Sequence, residues 1–351
     1  MEFGLSEEQT LLQDSVSGFL AEHANLDAVR RFADDGDDSA IWAGLSELGI
    51  PALLVPEAAG GVGLTCLDAA LVAEALGYRA APSPFLGTVA AAPRLLARLG
   101  REDLLGEIAT GSLRIGLAVG EAVGARADAG VRAAAGKLHG RALFASDFPA
   151  AKYLVADAER RLHLVDAAAA GTRALPTIDR TRPTGELVLE GTTAELLTDD
   201  PAHLRDLLDT ARVMLAADTL GAAQQMLDQA VAYARERKQF DRVIGSFQAV
   251  KHMCAEMAAE LEPCRAMVWY AAHALDEAPQ EAHLTACHTK ALLSEVGTFV
   301  AKTATEVHGG MGFTDLLGLH YWFKRIGYNR QLLGSPELLR EEAARAQRLV
   351  A

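Results

Sequence analysis

The stretch RERKQFDRVIGSFQAVKH, Arg235–His252, leaves one helical pattern and enters another across a short turn at Asp241–Ser246. Upstream, Asp200-Pro201 supplies an N-cap and a first-turn proline. Leu204, Leu207, Leu208, Ala211, Leu215 and Leu220 then recur at a spacing of three and four towards Arg237. Downstream, the same periodicity predicts helices over Phe247 to about Leu275, Ala282–Val307 and Ser335–Leu349. Helices of this length with short connections are stabilised by lying side by side, so residues 200–351 read as an antiparallel four-helix bundle domain.

Working outward, residues 113–199 change character. Short apolar runs (IGLAV from Ile115, ALF from Ala142, YLVA from Tyr153, LHLV from Leu162, ELVL from Glu186) are separated by Gly, Asp and Pro, as strands of a small middle β domain would be. VDAAAAGTRA, Val165–Ala174, is Ala-rich but broken by glycine, and reads as a loop. Residues 1–112 return to helical spacing (Leu11, Leu12, Val16, Phe19, Leu20), with Ser6 and Gln9 placed as a capping box. PEAAGGVGLT, Pro56–Thr65, is a glycine-rich loop between two apolar runs. The order is helical, β, helical, an α+β chain without internal repeats.

Composition narrows the partners. The 351 residues carry 33 Lys and Arg against 47 Asp and Glu, a net charge of −14, which argues against a nucleic-acid backbone because phosphate neutralisation needs a basic face. Cys66, Cys254, Cys264 and Cys287 form no C-x-x-C pair, so neither a disulfide framework nor a structural zinc site is expected. His283 and Cys287 have the i, i+4 spacing of a metal pair, but no third ligand motif stands nearby; with His288 they read as packing residues, and no metal is expected. The N-terminus is acidic and amphipathic, and no apolar run reaches the ~18 residues that span a bilayer. The expectation is a complete, cytoplasmic chain with no membrane insertion.

Two clusters carry chemistry. In the first, the Arg237 guanidinium at a helix corner can clamp a phosphate bidentately, Phe240 can cover an aromatic ring system and Gln248 can hydrogen-bond a polar cofactor edge; the plainer alternative is a solvated helix end with a buried Phe. In the second, TEVHGGMGFTD (Thr305–Asp315), Gly309, Gly310 and Gly312 end a helix and let backbone approach a ligand or a neighbouring subunit; the alternative is a C-cap and a tight turn. His308 marks the helix end, where the dipole favours positive charge. Arg212, mid-helix, has Asp209 at i−3 as a partner.

Together, R-x-Q-F at Arg237–Phe240, F-Q-x-V-x-H at Phe247–His252 and H-G-G-x-G-F-T at His308–Thr314 resemble the C-terminal domain of the acyl-CoA dehydrogenase family. PEAAGGVGL resembles that family's N-terminal loop, IDRTRP (Ile178–Pro183) its D-x-T-R segment, and DTAR (Asp209–Arg212) the start of its long C-terminal helix. The resemblance covers almost the whole chain and accounts for the helical, β, helical order. It implies an FAD that takes a hydride from the β-carbon of an acyl-CoA while a carboxylate removes the α-proton, with electron-transfer flavoprotein as a further partner. It also implies that the cofactor spans a subunit interface. Arg237 would then face the pyrophosphate of a neighbour's FAD, with Phe240, Gln248 and the backbone of Gly309 and Gly310 against its adenine half, and Arg212 near the active site.

The sequence departs from that pattern where the family keeps its base. The position of the usual Glu in a Y-E-G tripeptide is Leu333, in Leu332-Leu333-Gly334, and the alternative base position, one residue before Arg212, is Ala211. Glu337 is a candidate relocated base, its plainer reading being a carboxylate at a helix start. The flavin-ring loop T-E-P-x-x-G-S-D is represented by Gly120-Glu121-Ala122 without G-S-D, and the W-I-T/S segment by Phe144-Ala145-Ser146, where Ser146 would reach the flavin. Residues serving a partner's cofactor are kept and those serving the chain's own catalysis are lost. The resemblance therefore implies a base-less subunit of a heterotetramer with a base-bearing catalytic partner, of the kind known in steroid side-chain degradation. The alternatives are a homo-oligomeric enzyme with a relocated base and a flavin-free structural homologue.

Overall fold

The computed structural model describes residues 4–124 and 130–350. Six α-helices come first: α1 (Glu7–His23), α2 (Leu26–Asp35), α3 (Ser39–Glu47), α4 (Cys66–Tyr78), α5 (Ala92–Arg98) and α6 (Glu102–Ala109), with a buried π-helical segment, Phe85–Ala91, leading into α5. The Ser6/Gln9 capping box forms as read, each side chain bonded to the other residue's backbone N–H at 3.1 Å. Thr65 and Asp68 make a second box at α4.

The middle region holds β1 (Ile115–Ala118), the short α7 (Glu121–Gly124), β2 (Gly130–Ala134), β3 (Lys137–Ala145), β4 (Lys152–Ala156), β5 (Leu162–Asp166), β6 (Gly171–Leu175), β7 (Thr184–Thr193) and β8 (Glu195–Thr198). They form two four-stranded sheets, ordered β1-β4-β5-β8 and β2-β3-β7-β6, with β1/β4 the parallel pair. Val131, Leu138, Tyr153, Val155, Val165 and Leu187 belong to the separate small core of this region. One expectation fails here: the tract read as a loop, Val165–Ala174, contains the end of β5 and most of β6. β6 is an edge strand exposed along nearly its whole length, so its side chains show no apolar alternation, and beyond its backbone ladder it is tied to β7 by the cross-strand pair of Arg173 with Glu186, Nε to Oε2 at 3.0 Å.

The C-terminal region opens with α8 (Pro201–Glu236), capped by Asp200, then the two-stranded ribbon β9 (Lys238–Gln239) and β10 (Arg242–Val243), α9 (Gln248–Glu277) and α10 (Pro279–His308). α11 (Leu319–Gln331) and α12 (Pro336–Ala346) follow. The reading of residues 200–351 as four helices misses α11, whose buried face carries Arg325 and Asn329 beside Trp322 and Ile326 and so lacks a clean apolar stripe. α8 is buried without a break from Leu207 to Ala223. α4 crosses it at backbone contact: a Cβ on Gly77 would strike the Asp218 carbonyl oxygen, and one on Gly221 that of Glu74. Among the described residues no helix is long and apolar enough to cross a membrane.

One carboxylate ties the three regions together. Asp218 of α8 accepts from Arg325 Nε at 3.0 Å and Nη2 at 2.6 Å, from Arg182 Nη2 at 3.0 Å and from Asn329 Nδ2 at 2.6 Å. Arg325 Nη1 also donates to the Ala81 carbonyl and to Thr181 Oγ1, both at 3.1 Å. Burial alone would raise the Asp218 carboxyl, but Arg325 and Arg182 hold it down at about 2.

Candidate functional site

The first cluster forms at one end of the bundle. α8 stops at Glu236, and Arg237 caps it with an extended backbone. The expected short turn is a two-residue hairpin: Phe240 and Asp241 both take left-handed φ, +53° and +61°, as a tight ribbon requires. That geometry drives the Phe240 ring outward, 87% exposed, edge-on to Phe247 with the ring centroids 6.1 Å apart, and Arg242 stacks over Phe247 at 3.9 Å. The alternative of a buried Phe thus fails. Gln248 opens α9 and is exposed; the Arg237 guanidinium is exposed and ends in no ion pair among the described residues.

The second cluster lies beside the first, because the last turns of α8 and α10 meet where Tyr233 stacks on His308 at 4.6 Å. α10 ends at His308 as read, but the ring is buried and bonded through Nδ1 to the Ala304 carbonyl at 2.7 Å. Burial holds its pKa below the usual value, so a neutral imidazole replaces the expected helix-end charge. Beyond it Gly309 (φ +59°) and Gly310 face open space, with no atom within 4 Å of a built Cβ. Phe313 is 82% exposed. The structure therefore brings Arg237, Phe240, Gln248, Gly309 and Gly310 to one open end of the bundle.

The residues at the family's base positions lie elsewhere. A cavity of about 370 Å³ runs between α7, the end of β3 and the α11–α12 connection, and Glu121, Leu143, Phe144, Tyr328, Leu332 and Leu333 line it. Leu333 is buried with φ +58°. Its loop is pinned from behind: Arg212 Nε donates to the Leu333 carbonyl at 3.0 Å, and Lys290 Nζ to that of Gly334 at 2.8 Å. Ala211 is wholly buried in α8. Glu337 does not line the cavity; it is exposed, pairs with Arg330 at 3.2 Å, and a bond from Ser335 holds its carboxyl below the usual range. Glu121 is the one carboxylate lining the cavity among the described residues. Its Oε1 accepts from Leu143 N at 2.6 Å, its Oε2 is buried without a partner, and burial raises its pKa. Ser146 is buried with an unpartnered Oγ, and Phe144 has φ +56°. Residues 125–129, where the family's G-S-D would follow Glu121, lie outside the described residues.

Sequence reasoning missed the charged cluster behind Leu333. Arg212 reaches past Asp209 (3.4 Å) to grip Glu342 of α12 with both terminal nitrogens, at 2.7 and 3.0 Å. The lone lysine in an apolar stretch, Lys290, was the available signal. Burial, reinforced by Arg212, pushes it down to about 7. His283 is not a packing residue: its Nδ1 lies 2.9 Å from Asp209, and that bond pushes it up to about 10, while His288 is exposed. Asp209 supplies the third group near His283 and Cys287 that the sequence hid. The Arg212 guanidinium already stands among these groups, 3.8 Å from the Cys287 sulfur, and supplies the positive charge there.

Residues 203–347 match the model of the acyl-CoA dehydrogenase C-terminal domain, and residues 6–111 that of the N-terminal domain. Acyl-CoA dehydrogenase IpdE2 of Mycolicibacterium smegmatis is 34% identical, over 97% of this chain and 99% of the relative. Two solved structures superpose with TM-scores of 0.89. One is a variant of the Tcur3481-Tcur3483 steroid ACAD, 28% identical over 98% of both chains; the other is the ChsE4-ChsE5 complex from Mycobacterium tuberculosis, 26% identical over all of both.

Proposed function

We propose, from the premise that this chain belongs to the acyl-CoA dehydrogenase family, that it is the non-catalytic subunit of a heterotetrameric FAD-dependent enzyme that desaturates a bulky, steroid-derived acyl-CoA. The observation that carries the reading is a contrast. At the base position stands Leu333, pinned in an apolar cavity, whereas the groups that would hold a neighbour's cofactor stand exposed. The two solved relatives, a steroid ACAD and a complex of two proteins, support the substrate class and the partner.

The exposed groups fit the diphosphate and adenine of FAD. Arg237 is an exposed guanidinium, without an ion pair among the described residues, suited to a bidentate phosphate contact; Phe240 offers a ring face, Gln248 a donor and acceptor, and Gly309 and Gly310 leave room for close backbone approach. When bound, FAD supplies hydride acceptance from the acyl β-carbon. In this reading the chain's contribution is to bind and orient the partner's cofactor, while the partner's carboxylate takes the α-proton; electron-transfer flavoprotein is the onward acceptor. On this chain's own side the unpartnered Ser146 Oγ is the group suited to a flavin ring.

The deciding measurement is the visible spectrum and native mass of the chain purified alone and coexpressed with base-bearing acyl-CoA dehydrogenase-like partners. A colourless lone chain that becomes a yellow heterotetramer with fewer flavins than subunits is the expected result. A yellow homo-oligomer bleached by an acyl-CoA overturns it.

A further inference from the structure

The connection between α10 and α11, residues 309–318, presents Gly309, Gly310 and Phe313 to solvent, and its Phe313 and Leu316 are 82% and 71% exposed. Its first half is a turn in which Thr314 N and Oγ1 both donate to the Met311 carbonyl, at 3.1 and 2.8 Å, and Gly312 lies against Thr305 and His308 of α10; its second half, residues 315–318, is held from the other end of the chain. Arg30 of α2 donates through Nη2 to the Asp315 carbonyl and, at 3.2 Å, to that of Leu316, while its Nε lies 3.5 Å from the Asp315 carboxylate. His320 Nε2 donates to the other carboxylate oxygen of Asp315 at 2.6 Å. One helical turn before Arg30, Leu26 packs under Gly318 so closely that a Cβ there would collide with it, and Gly318 has φ +64°. Gly318 N closes the turn on the Asp315 carbonyl at 3.1 Å. One face of α2 thus seats residues 315–318, the stretch that follows the glycine turn and leads into α11.

We infer that Asp315, clasped by Arg30 and His320, is a positioning residue that fixes the Gly309–Phe313 turn in the shape that receives the adenine half of the partner's cofactor, an inference that rests on the reading above. Asp315 touches no part of the proposed cofactor surface itself; it acts through the turn. The clasp lies at the surface, with side-chain exposures of 29% for Arg30, 67% for Asp315 and 28% for His320, where ion pairs add little to global stability. Its effect is therefore on loop order and flavin affinity rather than on the melting temperature.

The test uses the complex with its base-bearing partner and FAD as the probe. Three variants are compared with the parent: Asp315→Ala, Arg30→Gln at the far end of the clasp, and Arg237→Ala as the direct cofactor contact. The readouts are FAD dissociation constant, melting temperature, and amide hydrogen exchange over residues 309–318. Asp315→Ala and Arg30→Gln are each expected to speed exchange in that segment and weaken FAD about tenfold with the melting temperature unchanged, a size usual for coupling through a positioned element. If Arg237→Ala weakens FAD but the two clasp variants do not, or if exchange in 309–318 is unaltered, the positioning role is overturned and the partner-subunit reading stands. If none of the three changes FAD affinity, the cofactor surface itself is wrongly assigned and both fall.

Discussion

Leu333 combines a left-handed backbone, which costs an aliphatic residue about 1–2 kcal/mol, with carbonyl bonds from Arg212 and Lys290 that hold the loop in place. Restoring the family's residue there does not restore the enzyme: Leu333→Glu would put a second carboxylate into an apolar cavity beside Glu121, which burial already makes reluctant to ionise. The expectation is that the variant chain, purified alone and supplied with FAD, gives no acyl-CoA-dependent bleaching. His283 makes a different prediction. Its pKa rises from 6.5 to about 10 on folding, so its bond to Asp209 contributes fully below pH 6.5 and is lost as pH rises through about 10. His283→Gln should therefore lower stability by roughly 1–2 kcal/mol at pH 6, and by progressively less as pH approaches 10, measured by urea denaturation across that range. Neither role was legible from residue identity: a leucine and a histidine in a helical chain are ordinary, and their partners arrive from 121 and 74 residues away.

Among the elements, long helices with apolar residues recurring at a spacing of three and four were legible to within a few residues, as α8, α9 and α10 show. Elements whose exposed or polar faces obey other demands were not: β6 pairs through its backbone and the Arg173–Glu186 ion pair, and α11 points Arg325 and Asn329 inward to meet Asp218. The α4–α8 crossing yields a prediction in which tertiary contact reverses local preference. In an exposed helix Gly→Ala gains about 1 kcal/mol. At Gly221 the new methyl would meet the Glu74 carbonyl, so Gly221→Ala should destabilise by about 1–3 kcal/mol in chemical denaturation, and Gly77→Ala likewise.

For the whole molecule, Asp218 is the point at which the N-terminal helices, the β region and the bundle share one charge. Asp218→Asn leaves Arg325 and Arg182 buried without their anion and should cost about 3–5 kcal/mol, with the transition losing cooperativity between regions. Because its carboxyl falls from 3.8 to about 2 on folding, its stabilisation is present above pH 3.8 and disappears as pH falls towards 2. An acid titration of the parent followed by circular dichroism, compared with the variant, checks the sign: the difference between them should narrow in that window.

The chain's own pattern of apolar spacing determined the helical, β, helical order and the long helices of the bundle, because periodicity is a local property of neighbouring residues. The same local reading named Arg237, Phe240, Gln248, Gly309 and Gly310, since each stands in a short contiguous motif. Only the tertiary structure decided that those motifs meet at one end of the bundle, through Tyr233 on His308, and that Phe240 faces outward. It alone put Glu337 outside the cavity and Arg212, Lys290 and Glu342 behind Leu333. Those outcomes turn on side chains from distant helices sharing a few ångströms of low-dielectric interior. There, desolvation and charge pairing set the arrangement, and neither is written in the spacing of residues along the chain.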